Sequence, residues 1–180
     1  ELAKAFGATV CAAVSSEEKA SFARDCGADE TIVYQSGPLD KDAGRALGAA
    51  FKEFGGDHGI DIVYDPVGGD YAEPALRSMA WKGRYLIVGF TAGIPRLPFN
   101  LPLLKGCDVV GVFNGGMVAN EPEVAQANIA ALLQLYAEGK IRPRVSRVFD
   151  FADAPDAIAL IGGRGALGKL VVRVGGQADG

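Results

Sequence analysis

Ser15, Ser16 and Lys19 put two hydroxyls and one ammonium directly after the apolar run ATVCAAV at residues 8–14. Hydroxyl donors beside an ammonium suit an anion rich in acceptor oxygens, above all a phosphate. In a dinucleotide-binding sheet the end of such a strand reads the adenosine ribose. An Asp or Glu there holds the 2′-hydroxyl and would repel a 2′-phosphate. Glu17 and Glu18 lie next to the set, and Ser15 with Glu18 fits the S-x-x-E capping box, which would leave Lys19 a solvated charge. On these residues alone, phosphate contact and helix capping both stand.

A second pattern is an apolar run that ends in a glycine turn, and it recurs three times. The runs are IDIVYDPVGG at 60–69, GRYLIVGF followed by TAG at 83–93, and DVVGVFNGG at 108–116. Strands buried on both faces read as unbroken apolar runs, and open parallel sheets bind ligands beyond their carboxyl ends. The turns at Val67, Gly68 and Gly69, at Gly89, Phe90 and Thr91 through Gly93, and at Val112, Phe113 and Asn114 through Gly116 are therefore expected on the ligand side. Tight packing between buried elements is the other reason for glycine there. Asp65, before Pro66, could hold a ribose hydroxyl or cap its own turn. No acid or base stands out for catalysis, and no catalytic residue is assigned. His58 is the sole histidine and sits in the turn GGDHG, which predicts a solvated loop position. Cys11, Cys26 and Cys107 are odd in number and far apart, without zinc-ligand spacing, so neither a disulfide framework nor a metal site is expected.

The elements that must position these groups follow from periodicity and caps. Residues 8–14 read as a strand, and a helix from Ser15 ends at Gly27 in a left-handed conformation. Residues 31–34 read as a strand. Ala46, Leu47, Ala50, Phe51 and Phe54 mark an amphipathic helix over 40–54, closed by Gly55 and Gly56. A strand at 60–65, a helix at about 71–81, a strand at 85–89, a proline-rich connection and a strand at 108–113 follow. The alternation predicts βαβ crossovers and a parallel sheet, an α/β doubly wound fold. A long helix over 121–138, a strand near 145–149, a short helix at 154–161 and a last strand at 169–174 close the chain. The closing strands are expected to lack a sheet of their own.

With 180 residues, 49% of them hydrophobic, the chain can bury one substantial core. A net charge of -4, with 18 basic residues scattered along it, disfavours nucleic acid as a partner. No apolar stretch approaches the roughly 20 residues that span a bilayer, and the amino terminus lacks a signal-peptide layout, so neither membrane nor export is expected and the location expected is the cytoplasm.

These motifs together resemble the medium-chain dehydrogenase/reductase superfamily, in its quinone oxidoreductase, zeta-crystallin-like branch. The segments that carry the resemblance run along nearly the whole chain: LAKAFGATV at 2–10, SSEEK at 15–19, CGADETIVY at 26–34, DIVYDPVGG at 61–69, GRYLIVGF at 83–90, YAEGKIRP at 136–143 and RGALGKLVV at 164–172. The resemblance implies a Rossmann-like domain over 1–120, lacking its first strand and the glycine loop, which would lie upstream of Glu1. It implies that residues 121–180 return to an absent catalytic domain. It favours NADPH, with Ser15, Ser16 and Lys19 on the 2′-phosphate, Tyr34 flanking it and Arg164 near the adenosine phosphate. It implies hydride transfer to a small quinone or enone without zinc, and a homodimer formed through the edge strand 108–113. Leu97, Pro98, Phe99 and Leu101 suggest one apolar wall of the acceptor pocket. A non-catalytic dimerising nucleotide-binding module is the alternative. A methyltransferase, which would want an acid in place of Ser15 and Ser16, ranks below both.

Overall fold

A computed structural model of the chain describes residues 1–163 and 165–175. A short helix α1 (Leu2–Ala5) leads to β1 (Cys11–Val14), α2 (Glu17–Asp25), β2 (Glu30–Val33) and α3 (Lys41–Gly55). Gly27, at φ +100°, follows α2, as its position in the sequence predicts. α3 starts at Asp40, whose carboxylate accepts from the amides of Asp42 and Ala43. Next come β3 (Ile60–Asp65), α4 (Ala72–Arg77), β4 (Met79–Ile87), α5 (Asn100–Lys105) and β5 (Asp108–Gly111). The described chain closes with α6 (Asn114–Asn120), α7 (Pro122–Ala137), β6 (Val145–Asp150), α8 (Ala154–Gly162) and β7 (Lys169–Arg173).

All four ladders are parallel: β1 with β2, β3 with β4, β4 with β5, and β6 with β7. Between the strands of each pair runs a helix, as parallel pairing requires. The architecture is Rossmann-like, a doubly wound parallel arrangement with flanking helices, as in an incomplete dinucleotide-binding domain. Among the described residues β1 pairs with β2 alone and β3 with β4 alone, so the ladders remain separate. The core gathers Ala72, Ala75 and Leu76 of α4, Met79 and Tyr85 of β4, Leu101 of α5, and Cys107. Phe51 of α3 packs against it, on the face that its spacing predicts.

Several boundaries differ from the sequence reading. The N-cap of α2 is Ser16, not Ser15, because the Ser16 hydroxyl accepts from the Lys19 amide at 3.2 Å. The helix expected over 71–81 is a 3-10 turn, Gly69–Tyr71, and a six-residue α4. The Ser78 hydroxyl donates to Ala75 O at 2.6 Å, while Ser78 O accepts from Ile60 N, and the chain turns straight into β4. The proline-rich connection contains α5, drawn in by buried Leu101. The closing strands do form a sheet of their own, the β6–β7 ladder. Arg144 ties that end of the chain to α2, donating to Asp25 O at 2.7 Å with its guanidinium 5.7 Å from the centre of the Phe22 ring. No helix among the described residues is long and apolar enough to cross a membrane.

Candidate functional site at the strand ends

Beyond the carboxyl end of β1 the Lys19 Nζ lies 3.3 Å from Ser15 Oγ. Both side chains are half-buried, whereas Glu17 and Glu18 are exposed. One turn of helix brings the ammonium back over the strand end, because residues four apart share a face. The Ser16 oxygen accepts the cap bond from the Lys19 amide, and Ser15 is the hydroxyl that meets the ammonium. Tyr34 N donates to Val14 O at 2.9 Å, which sets Tyr34 beside Ser15 at the neighbouring strand end. The Tyr34 ring packs on Tyr71, centroids 4.7 Å apart, and the Tyr71 hydroxyl bonds to Gly37 O at 2.6 Å. Sequence reasoning missed this support from Tyr71. A buried phenol seeking an acceptor is the signal that could have found it.

The second cluster forms after β3 and β4. The turns at 66–69 and 89–93 are stitched together: Gly69 N donates to Gly93 O at 2.7 Å, Ala92 N to Val67 O at 2.8 Å, and Gly89 N to Asp65 O at 3.3 Å. Val67, Gly68, Gly89, Phe90 and Thr91 thus come together. The reason for glycine at 68 and 69 is that stitching. Both have positive φ, and a Cβ on either would stand 2.7 Å from a carbonyl oxygen of Gly93 or Ala92. Val112 joins the cluster through its amide, which donates to Ile87 O at 2.8 Å. The expected glycine turn at 113–116 is instead the start of α6, with Asn114 its first residue. The Phe113 ring lies where a Cβ on Gly116 would come within 2.6 Å, so that glycine makes room for Phe113. Arg164 lies outside the described residues.

Asp65 caps its turn. One carboxylate oxygen accepts from Val67 N at 2.8 Å and Gly68 N at 2.9 Å, and the other accepts from the Tyr85 hydroxyl at 2.5 Å. Burial, together with the bond to Asp65, holds the Tyr85 phenol well above its ordinary range, so it remains a donor. The expected apolar wall is only partly available: Leu101 is buried in the core and Leu97 packs against it, while Phe99 is almost fully exposed. His58 is exposed and pairs with Asp61 at 2.8 Å. A cleft of about 1020 Å³ opens between α3, α4 and residues 92–97. Its walls include neither Ser15, Lys19 nor Phe90, so we place the candidate site at the strand ends, where open parallel sheets bind ligands.

The zinc-binding dehydrogenase family matches residues 1–135. Among the described residues no group of three or more His, Cys, Asp or Glu side chains could hold a metal ion, so they offer no fit for the zinc in that family's description. Quinone oxidoreductase-like protein 2 of Bos taurus is 34% identical over 166 residues, an alignment of 92% of this chain and 45% of that protein. A quinone oxidoreductase of Pseudomonas aeruginosa is 34% identical over 172 residues, covering 94% of this chain and 50% of the other. The crystal structure of Escherichia coli quinone oxidoreductase complexed with NADPH superposes with a TM-score of 0.78 at 26% identity, over 96% of this chain and 52% of that one. The chain thus spans about half the length of the relatives it matches. The family match over residues 1–135, the relatives along nearly the whole chain and the shared fold agree, and the chain belongs to the medium-chain dehydrogenase/reductase superfamily, in its quinone oxidoreductase, zeta-crystallin-like branch.

Proposed function

We propose that this chain is the cofactor-binding part of an NADPH-dependent, zinc-independent oxidoreductase that reduces an apolar quinone or enone. The observation that carries the reading is the Lys19 ammonium set 3.3 Å from Ser15 Oγ at the end of β1, with Tyr34 alongside. The NADPH in the related Escherichia coli structure supports the choice of cofactor. Lys19 and Ser15 would hold the 2′-phosphate, with Ser16 contributing through the helix start it caps. Val67, Gly68, Gly89, Phe90, Thr91, Val112, Phe113 and Asn114 would line the nicotinamide end. There the stitched turns offer fixed backbone groups, and Val67, Phe90 and Phe113 offer apolar surface that keeps water away. When bound, the cofactor supplies a hydride to the acceptor. The work of these residues is to bind, orient and desolvate.

In this reading residues 1–120 form the dinucleotide-binding domain and residues 121–180 return to a catalytic domain. The whole protein is a cytoplasmic homodimer joined through residues 108–113. In support of the dimer, β5 is a sheet edge among the described residues, with Val109, Val110 and Val112 each more than a third exposed and Phe113 79% exposed. That same edge favours the second reading, a dimerising nucleotide-binding module without turnover. Titration with NADPH and NADH, followed by nicotinamide fluorescence, tests the cofactor. At least about tenfold tighter binding of NADPH is expected from one charge-assisted contact, and equal affinities would withdraw it. Steady-state reduction of 1,4-benzoquinone and of an α,β-unsaturated ketone then separates the two readings, since binding and dimerisation without turnover select the module.

A further inference from the structure

The turn after β3 is held by a carboxylate both of whose oxygens are engaged within the chain. Asp65 accepts three hydrogen bonds, from Val67 N at 2.8 Å, Gly68 N at 2.9 Å and the Tyr85 hydroxyl at 2.5 Å. Tyr85 is 1% exposed and stands two residues before the end of β4, in the core that also holds Leu76 and Met79. Its ring cannot swing away without opening that core, so the hydroxyl is a fixed point. The chain of constraint therefore runs from the packed core through one phenol to one carboxylate and from there to two consecutive backbone amides. Those amides belong to Val67 and Gly68, and Val67 O in turn accepts from Ala92 N, so the neighbouring turn at 89–93 is registered by the same anchor.

Ordinary turns with a strand-end Asp are closed by the Asp alone, bonding to amides two or three residues on. Here a phenol buried in the core, twenty residues away in sequence, fixes the second oxygen, which removes the remaining freedom of the carboxylate. A turn pinned in this way presents its backbone to a ligand without reorganising when the ligand binds.

We propose that Asp65 is a positioning residue of the candidate site, oriented by Tyr85, and that it sets the Val67–Gly68 backbone against which the nicotinamide end of the cofactor rests. The proposal deepens the functional reading above and rests on it. Asp65 acts through the turn and touches neither cofactor nor acceptor.

The test compares the unmodified protein with Tyr85→Phe, Asp65→Ala and Asp65→Asn. Amide hydrogen exchange at Val67 and Gly68, measured without ligand, should quicken by about tenfold in Tyr85→Phe and by more in Asp65→Ala. In Asp65→Asn the amide oxygen keeps both backbone bonds, so exchange should stay closer to that of the unmodified protein. NADPH should bind about five- to tenfold more weakly to Tyr85→Phe, with a changed emission maximum of the bound nicotinamide. The fragment 2′,5′-ADP, which reaches only the Ser15 and Lys19 end, should bind within about twofold of the unmodified protein. Unchanged exchange at Val67 and Gly68 would overturn the proposal, as would equal losses for NADPH and 2′,5′-ADP. If the unmodified protein bound neither ligand, the functional reading would fall and the cofactor role of Asp65 with it. The exchange rates would still decide whether Asp65 and Tyr85 govern the turn.

Discussion

Lys19→Ala separates phosphate recognition from helix stability. The ammonium is half-buried, 3.3 Å from Ser15 Oγ, and it is the only cation among the residues assigned to this corner within the described chain. A hydrogen bond to a charged partner contributes about 1.5–3 kcal/mol. At about 1.4 kcal/mol per factor of ten, the substitution should weaken NADPH roughly 10- to 150-fold. NADH lacks the 2′-phosphate and should lose less than about twofold. The fold should not suffer. Lys19 is the third residue of α2, where a positive charge opposes the helix dipole by about 0.3–1 kcal/mol, and alanine is the better helix former. The melting temperature should therefore hold or rise slightly. Fluorescence titration of both cofactors, at low and at moderate salt, with a thermal melt of each variant, makes the measurement. The preference for NADPH should shrink with added salt in the unmodified protein and be nearly salt-independent in the variant. Equal losses for the two cofactors, or a fall in melting temperature that accounts for the loss, would refute the assignment of Lys19.

Ser16→Ala removes a cap and should cost about 1 kcal/mol of stability, whereas Ser15→Ala should leave stability unchanged and weaken NADPH by about 0.5–1.5 kcal/mol. Thermal melts beside titrations show whether the two hydroxyls divide their roles in this way. Leu76 is fully buried, and Leu76→Ala should destabilise the protein by about 2–5 kcal/mol in denaturant unfolding. Burial, with Glu30 adding to it, pushes the Cys11 thiol from its ordinary 9.0 up to about 11. The folded chain thus holds that proton more tightly than the unfolded chain does. The contribution to stability is complete below about pH 9 and is lost as pH rises through about 11. Iodoacetamide should alkylate Cys11 slowly at pH 8 and progressively faster towards pH 11, and an inflection near the ordinary 9.0 would contradict the burial. Val110→Lys on the edge strand should shift a dimer to monomer in sedimentation, and an unchanged dimer would place the interface elsewhere.

The parts of this fold that were legible in the sequence are those whose cause is local. β3 runs over the residues read as its apolar run, and α3 closes at the two glycines that follow its last apolar position, because period and cap are written in neighbouring residues. The parts that were not legible are settled by contacts distant in sequence. α5 carries a proline and is only six residues long, yet it forms because Leu101 fills the core beneath it. β4 begins six residues earlier than its apolar run suggests, since Met79 pairs with Ile60 across a register shift. The same division runs through the candidate site. Ser15, Ser16 and Lys19 stood out because they lie within one helical turn, although only the geometry shows which hydroxyl caps the helix and which meets the ammonium. The glycines after β3 were visible with two readings, room for a ligand and tight packing between buried elements, and their surroundings supply the second. A Cβ on Gly68 or Gly69 would strike the carbonyls of residues 92–93 whether or not anything were bound. Glycine at these positions therefore says that two turns must touch. Asp65 and Tyr85 fix the first of those turns through the amides of Val67 and Gly68.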